Sequence, residues 1–161
     1  MLKQPDELQS NADLINTAMQ RAVSRQLPIV ELISCATALA SRGQRPQIIE
    51  LYKTWIAYNS SDPLLHAAYF NYAISLNESG DRAGAINAFQ ACLKVKPDFY
   101  PGYINLGRVL EDCGQTGQAV SQWLALVQNL SAVNGESVSH KLIALEQIGR
   151  VLEGANDDAH A

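Results

Sequence analysis

The sequence predicts an all-α chain of repeated helical hairpins, and two observations carry that prediction. The first is a self-match: between His66 and Asn134, two segments align residue for residue when one is slid by 34 positions. Tyr69, Tyr72-Ala73, Leu76, Gly80, Ala85 and Phe89 meet Tyr103, Leu106-Gly107, Leu110, Gly114, Ala119 and Trp123. The closing Pro97 has no counterpart, Ser131 standing in its place. The second observation is the periodicity inside each copy. Positions 69, 72, 73 and 76 recur at three and four residues and so line one side of a helix, and Ala85, Phe89 and Cys92 do the same on a second.

The elements follow in order. Leu8, Ala12, Ile15, Met19 and Val23 are spaced by four, three, four and four, an amphipathic helix expected over about 6–26 that Asp6 can cap and Leu27-Pro28 ends. It reads either as the second helix of an incomplete repeat or as an added cap. A degenerate hairpin follows, with Leu32, Cys35-Ala36 and Leu39 as the first stripe (29–42), Gly43 as the turn, and Leu51 and Trp55 on the second helix (47–59). Counted back from Gly43 the repeat starts about three residues early, which places a short insertion in Gln44-Arg45-Pro46. Asn59-Ser60-Ser61-Asp62-Pro63 supplies turn chemistry and a cap.

The two clear copies give helices over 64–79 and 82–95, then 99–113 and 116–130. Their turns are Ser79-Gly80-Asp81 and Cys113-Gly114-Gln115, where glycine accepts the left-handed conformation that ends a helix. Small Ala73 and Gly107 let paired helices approach, while Phe89 and Trp123 fill the space beside them. After a loop at Ser131-Ala132-Val133-Asn134-Gly135, a longer helix over 136–153 carries Leu145, Ile148-Gly149 and Leu152. A turn at Gly154-Ala155-Asn156-Asp157-Asp158 is expected after it. Its stripe has no second helix to meet, so self-association as a homodimer through the C-terminal helix, at Leu145, Ile148 and Leu152, is the expectation.

A bulky residue, an apolar-small pair, an apolar residue, then Gly, Ala, an aromatic and Pro resembles the tetratricopeptide repeat, whose period is 34 residues. The resemblance implies an array stacked in a right-handed superhelix. The expected domains are an entry or capping helix at 6–26, an array over 28–155 (about 29–65, 66–99, 100–133 and a truncated repeat from about 136) and a tail at 156–161. Three strings narrow it: Asp62-Pro63-Leu64-Leu65-His66-Ala67-Ala68-Tyr69-Phe70-Asn71-Tyr72, Tyr103-Ile104-Asn105-Leu106-Gly107, and His140-Lys141 with Gln147-Ile148-Gly149-Arg150-Val151-Leu152-Glu153. They are similar to the amino-terminal region of bacterial SPINDLY-type proteins, relatives of O-linked N-acetylglucosamine transferase. Such proteins carry repeats ahead of a glycosyltransferase that uses a nucleotide sugar. That resemblance implies a non-catalytic recognition region for protein substrates. A free-standing adaptor is the alternative, and the sequence encoded after Ala161 decides between them.

Composition sets the boundaries of function. The chain has 161 residues, 47% of them apolar, and a formal charge of -4, long and apolar enough to bury a core. No basic cluster offers a phosphate-binding surface, so nucleic acid is not an expected partner. No run approaches the ~18 apolar residues of a spanning helix, and the start is polar, so no membrane is expected and the cytoplasm is the default. Cys35, Cys92 and Cys113 are odd in number with no CxxC; the first two sit on apolar stripes and are expected buried, the third beside a turn. His66, His140 and His160 lack ligand spacing, and Glu111-Asp112 are adjacent residues pointing different ways. No enzyme activity, cofactor or metal is therefore expected of this chain.

The remaining signal is a row of polar residues just before each apolar-small pair: Ser34, Asn71, Asn105 and Gln147. That place points away from the second helix, and an amide there can both donate to and accept from the backbone of an extended peptide. The row resembles the asparagine ladder of O-linked N-acetylglucosamine transferases. Asn at this place also serves packing in many such repeats. Phe70, Ile74, Asn77, Ile104, Arg108 and Glu111 flank it and would supply selectivity. They lack the paired basic residues that grip a free carboxylate, so the expected ligand is an internal, extended segment of a partner protein.

Overall fold

The computed structural model describes residues 5–129 and 135–159, with side chains placed except at 5–11, 129, 136 and 155–159. Among the described residues there are eight helices and no strand: α1 (Pro5–Val23), α2 (Ile29–Ser41), α3 (Arg45–Tyr58), α4 (Leu65–Glu78), α5 (Arg82–Val95), α6 (Tyr100–Asp112), α7 (Thr116–Asn129) and α8 (Gly135–Ala159). The all-α, helical-hairpin class is as expected. Residues 131–134 of the expected loop at 131–135 and the last two residues of the expected tail lie outside the described residues, while Gly135 opens α8 rather than closing the loop. The chain forms two compact units, α1–α4 up to Asp81 and α5–α8 from Arg82 on. In a repeat array each element packs on its neighbours alone, so burial is segmental.

The helix ends share one chemistry. Gln44, Asp81 and Gln115 each donate a backbone N–H to the carbonyl five residues back, at 2.9, 3.0 and 2.9 Å, across Gly43, Gly80 and Gly114, whose φ values are 72°, 90° and 74°. This arrangement satisfies the carbonyls a helix leaves open at its C-terminus. Helix α1 ends the same way at Arg25, with φ 59° and a bond from Gln26 to Arg21 of 2.8 Å. It therefore stops at Val23, short of the position that Leu27-Pro28 predicts. Its start is also shifted: Pro5 opens it and Asp6 lies inside its first turn, so Asp6 is not the residue before the helix.

The turn at Gly43 holds no insertion, contrary to the count from the sequence. All three hairpins follow glycine, one residue, then helix, and Pro46 belongs to the first turn of α3, where a missing N–H costs nothing. The extra length lies downstream. The connection from α3 to α4 covers residues 59–64, whereas that from α5 to α6 covers only 96–99, and α4 is one residue longer than α6. Trp55 consequently sits 12 residues after its glycine, where Phe89 and Trp123 sit 9 after theirs. Tyr52, equally buried, holds the equivalent place.

In the first unit α1 packs chiefly on α3, whereas α3 packs on α4 as α5 does on α6 and α7 on α8. Helix α1 thus meets the following hairpin mainly through that hairpin's second helix, not through its first. Ala18 and Ala22 make the close contact, with Leu14, Ile15 and Met19 beside them, while Ala12 and Val23 of the expected stripe are exposed. Two side-chain donors, Trp55 and Asn59, tie this end of the chain. Trp55 Nε1 donates to the Leu27 carbonyl at 2.7 Å, and Asn59 Nδ2 donates to Ala22 O at 3.1 Å and to Trp55 O at 2.9 Å. Asp62 meets the N–H of Leu64 at 2.8 Å ahead of α4, as the turn chemistry predicts.

In the second unit Leu106, Gly107 and Leu110 of α6 face Ala119, Trp123 and Leu126 of α7, all buried. A Cβ on Gly107 would lie 2.2 Å from Trp123 Nε1, so only glycine fits. Helix α8 continues through Gly154, where a turn is expected, and Gly154 has no positive φ with which to make one. Cys92 is buried as expected; Cys35 is only half-buried, and Cys113 is exposed.

Candidate functional site

The polar row falls on the first helices of the hairpins and on α8. In the first unit α2 packs beside α4. Ser34 is exposed and its hydroxyl donates to Val30 O at 3.0 Å, within its own helix. Asn71 is half-buried, and its Nδ2 donates to Ala67 O at 2.8 Å. Because the partner is a carbonyl, the nitrogen must face it, which fixes the amide and turns Oδ1 away from that bond. Phe70, Ile74 and Asn77, on the same side of α4, are half-buried.

In the second unit Asn105 repeats this geometry, with Nδ2 donating to Pro101 O at 2.9 Å. The two amides, one period apart, are locked alike. Each retains one N–H and a carbonyl oxygen for another group. Ile104 is buried and its carbonyl receives the Trp123 N–H at 3.4 Å, so its side chain belongs to the core rather than to a ligand surface. Arg108 is exposed. Glu111 is not a free anion: Arg150 Nη2 donates to both its oxygens, at 2.7 and 2.6 Å, and to Gln147 Oε1 at 3.3 Å. The hydrogen bond to Glu111 and then its charge push the Arg150 pKa up. At the other end of the same helix pair, the rings of Tyr100 and His140 lie 6.0 Å apart.

Helices α6 and α8 therefore run side by side with an aromatic contact at one end and an ion pair at the other. Gln147 lies beside the ion pair, while Asn105 and Arg108 fall on α6 between its two ends. Arg150 is the residue the sequence reading left out, and the repeat contained the signal. Arg108 follows Leu106-Gly107 just as Arg150 follows Ile148-Gly149. His66 is buried and His140 half-buried, while His160 lies outside the described residues. Among the described residues no three His, Cys, Asp or Glu side chains gather as a metal site, and no helix is long and apolar enough to cross a membrane.

This backbone resembles several solved structures. MamA superposes with a TM-score of 0.58 at 15% identity, over 95% of this chain and 99% of that one. The fold is the tetratricopeptide-repeat fold. The first tetratricopeptide domain of Spaghetti (RPAP3), bound to the HSP90 peptide SRMEEVD, matches with a TM-score of 0.54 at 13% identity over 74% of this chain and 94% of its own. The Sgt2 tetratricopeptide domain from Aspergillus fumigatus gives 0.56 at 17% identity, over 78% and 82%. No protein-family model and no curated protein matches the sequence.

Proposed function

We propose that the chain is a protein-interaction module that binds extended segments of partner proteins along the first-helix faces of its repeats. The observation that carries this is the common locking of Asn71 and Asn105, each turned by a bond to its own helix so that Oδ1 and one N–H remain for a peptide backbone. A tetratricopeptide domain of the same fold is bound to a peptide in RPAP3, which supports the reading. Exposed Arg108 favours a ligand with an acidic residue, and since Arg150 is already held by Glu111, the pair of cations that a free C-terminus needs is not offered there. An internal segment is the ligand in this reading. Residues 28–155 form the array, α1 the cap, and the cytoplasm is the compartment.

The test is fluorescence polarisation with a library of extended synthetic peptides, with and without acidic residues. Asn71→Ala with Asn105→Ala should abolish binding while the melting temperature holds. A large fall in melting temperature would instead assign both amides to packing. Arg108→Gln should remove the preference for acidic peptides and leave the rest of the binding.

We also propose that the module is the recognition region of a protein O-glycosyltransferase of the SPINDLY type. The sequence strings around Asp62, Tyr103 and Gln147 support this, and a free-standing adaptor is the competing reading. Reading the encoded sequence beyond Ala161 tests it: several hundred further residues with a nucleotide-sugar site support the transferase, and a stop codon sinks it in favour of the adaptor.

A further inference from the structure

Helix α8 has two unlike faces. Ser137 and Ala144 are buried against the second unit, and Gln147, Ile148 and Val151 are half-buried on that side. Turned the other way are Val138, Leu142, Leu145 and Leu152, which are 44%, 62%, 45% and 57% exposed. The expected stripe of Leu145, Ile148 and Leu152 is thus rotated: Ile148 leaves it and Leu142 joins it. Gly149 completes the line, and the space around it is open. The steps from 138 to 142, 145, 149 and 152 are four, three, four and three, an average of 3.5 residues. That is the period of a two-helix seam.

The charges beside the seam say what covers it. With these residues as the seam, Lys141 lies on one flank, while Ser139, Glu146 and Glu153 lie on the other, all exposed. In a parallel pair a residue on the first flank meets the residue five positions further on in the opposite flank of its partner. Lys141 then meets Glu146 of a second copy, twice by symmetry. An antiparallel pair would set the Ser139, Glu146 and Glu153 flank against itself. Helix α8 is already docked on α6 and α7, so pairing does not have to nucleate it.

We infer that a second copy of this chain occupies the stripe, with α8 pairing in parallel with its equivalent through Val138, Leu142, Leu145 and Leu152. Sedimentation velocity over a wide concentration range should show a monomer–dimer equilibrium. Leu142→Lys with Leu145→Lys should abolish the dimer and leave the circular dichroism and melting temperature unchanged, since both side chains are exposed. Lys141→Glu alone and Glu146→Lys alone should each weaken it by about fivefold to tenfold, and the two together should restore it. With Cys113→Ser in place, Leu145→Cys should form a disulfide between copies under mild oxidation. A monomer at every concentration overturns the inference and leaves the stripe to another occupant. A dimer that ignores the leucine changes, that single charge swaps strengthen, or that forms no disulfide at Leu145→Cys overturns the parallel seam.

Discussion

Trp55 and Trp123 are the protein's two tryptophans; both are fully buried, both sit on second helices, and they lie two 34-residue periods apart, yet they do different work. Trp123 stays within its hairpin: its indole covers Gly107 and its N–H reaches Ile104 O at 3.4 Å. Trp55 sits one turn further along its helix and reaches out of its hairpin, donating at 2.7 Å to the link between α1 and α2. The small residue that faces Trp123 across the hairpin is Gly107; its counterpart in the first hairpin is Ala36, buried but not glycine. A matching period in sequence therefore does not ensure a matching contact. Where the turn glycine is shifted, the same residue type becomes a bolt for the cap helix.

The most severe way to break this contrast is Gly107→Ala. The added Cβ meets the indole at 2.2 Å, and the neighbouring atoms belong to a rigid ring that cannot swing aside. Overpacking of this kind costs about 1–3 kcal/mol and rises where nothing yields, so a loss near the top of that range is expected for the second unit. Trp123→Leu in the same background should recover part of it, read as a coupling in a urea double-mutant cycle. Simple additivity of the two changes would mean the indole and Gly107 are not in contact. The complementary change in the first hairpin, Ala36→Gly, should relieve nothing.

High pH separates the units by a second route. Burial pushes the Cys92 thiol of the second unit from 9.0 up to about 12, against the pull of Lys96, and the Tyr52 hydroxyl of the first from 10.0 up to about 12. In both cases the folded state keeps the neutral form, so the unfolded chain loses its proton first. Stability is complete below the unfolded pKa and is lost as pH rises towards the folded one, from about 9 through Cys92 and from about 10 through Tyr52. Burial raises half-buried Cys35 as well, against Arg21, so the comparison belongs in a Cys35→Ala background. There, the α5–α8 amides should lose hydrogen-exchange protection at lower pH than the α1–α4 amides, and Cys92→Ala should remove the difference. Equal onset before and after that change would reject the assignment.

How much of this could be read in the sequence varies with the physics involved. The Gly107–Trp123 contact was legible because the apolar-small pair and the aromatic keep a fixed distance from their turn. The Trp55 contact was not, since it depends on where α1 docks, and the most buried residues there, Ala18 and Ala22, are not in the expected stripe. The insertion was misplaced because Pro46 looks like a loop residue and is in fact a helix start. Within the candidate site, Asn71 and Asn105 could be named, but not the bonds to Ala67 and Pro101 that orient them. Glu111 looked free because its partner, Arg150, is 39 residues away. Pairings across helices depend on side-chain reach, which a repeat pattern does not encode.

Trp55→Phe tests the reach towards the cap. The ring bulk is largely kept and the donor is lost, leaving the Leu27 carbonyl without its indole partner at a cost of about 1–2 kcal/mol. The damage should be local: amides of α1 should exchange faster, while those of α4 barely change. Trp123→Phe gives up a longer and weaker bond, so its hydrogen-bond loss should be smaller. Equal effects on α1 from both substitutions would end the idea that, of the two tryptophans, only Trp55 ties the cap.

The smallest expected effect is also a gain. Arg25 ends α1 in the left-handed region at φ 59°, the place that Gly43, Gly80 and Gly114 hold at the three hairpin turns. A side chain there brings Cβ close to the following carbonyl, at about 1–2 kcal/mol, and the left-handed backbone is natural to glycine. Glycine also leaves the unfolded chain more freedom, which takes back a part. Neither Arg21, which donates to Gln26 O and pairs with Glu31 at 2.7 Å, nor the backbone bond from Gln26 to Arg21 needs the Arg25 side chain. Arg25→Gly should therefore stabilise the first unit by roughly 0.5–1 kcal/mol, seen as a higher urea midpoint with an unchanged slope. Gly114→Ala, the reverse change in the second unit, should lower its midpoint by a similar amount. If Arg25→Gly were destabilising, the side chain would have to make a contact that outweighs the strain of its backbone, and α1 would end for a different reason from α2, α4 and α6.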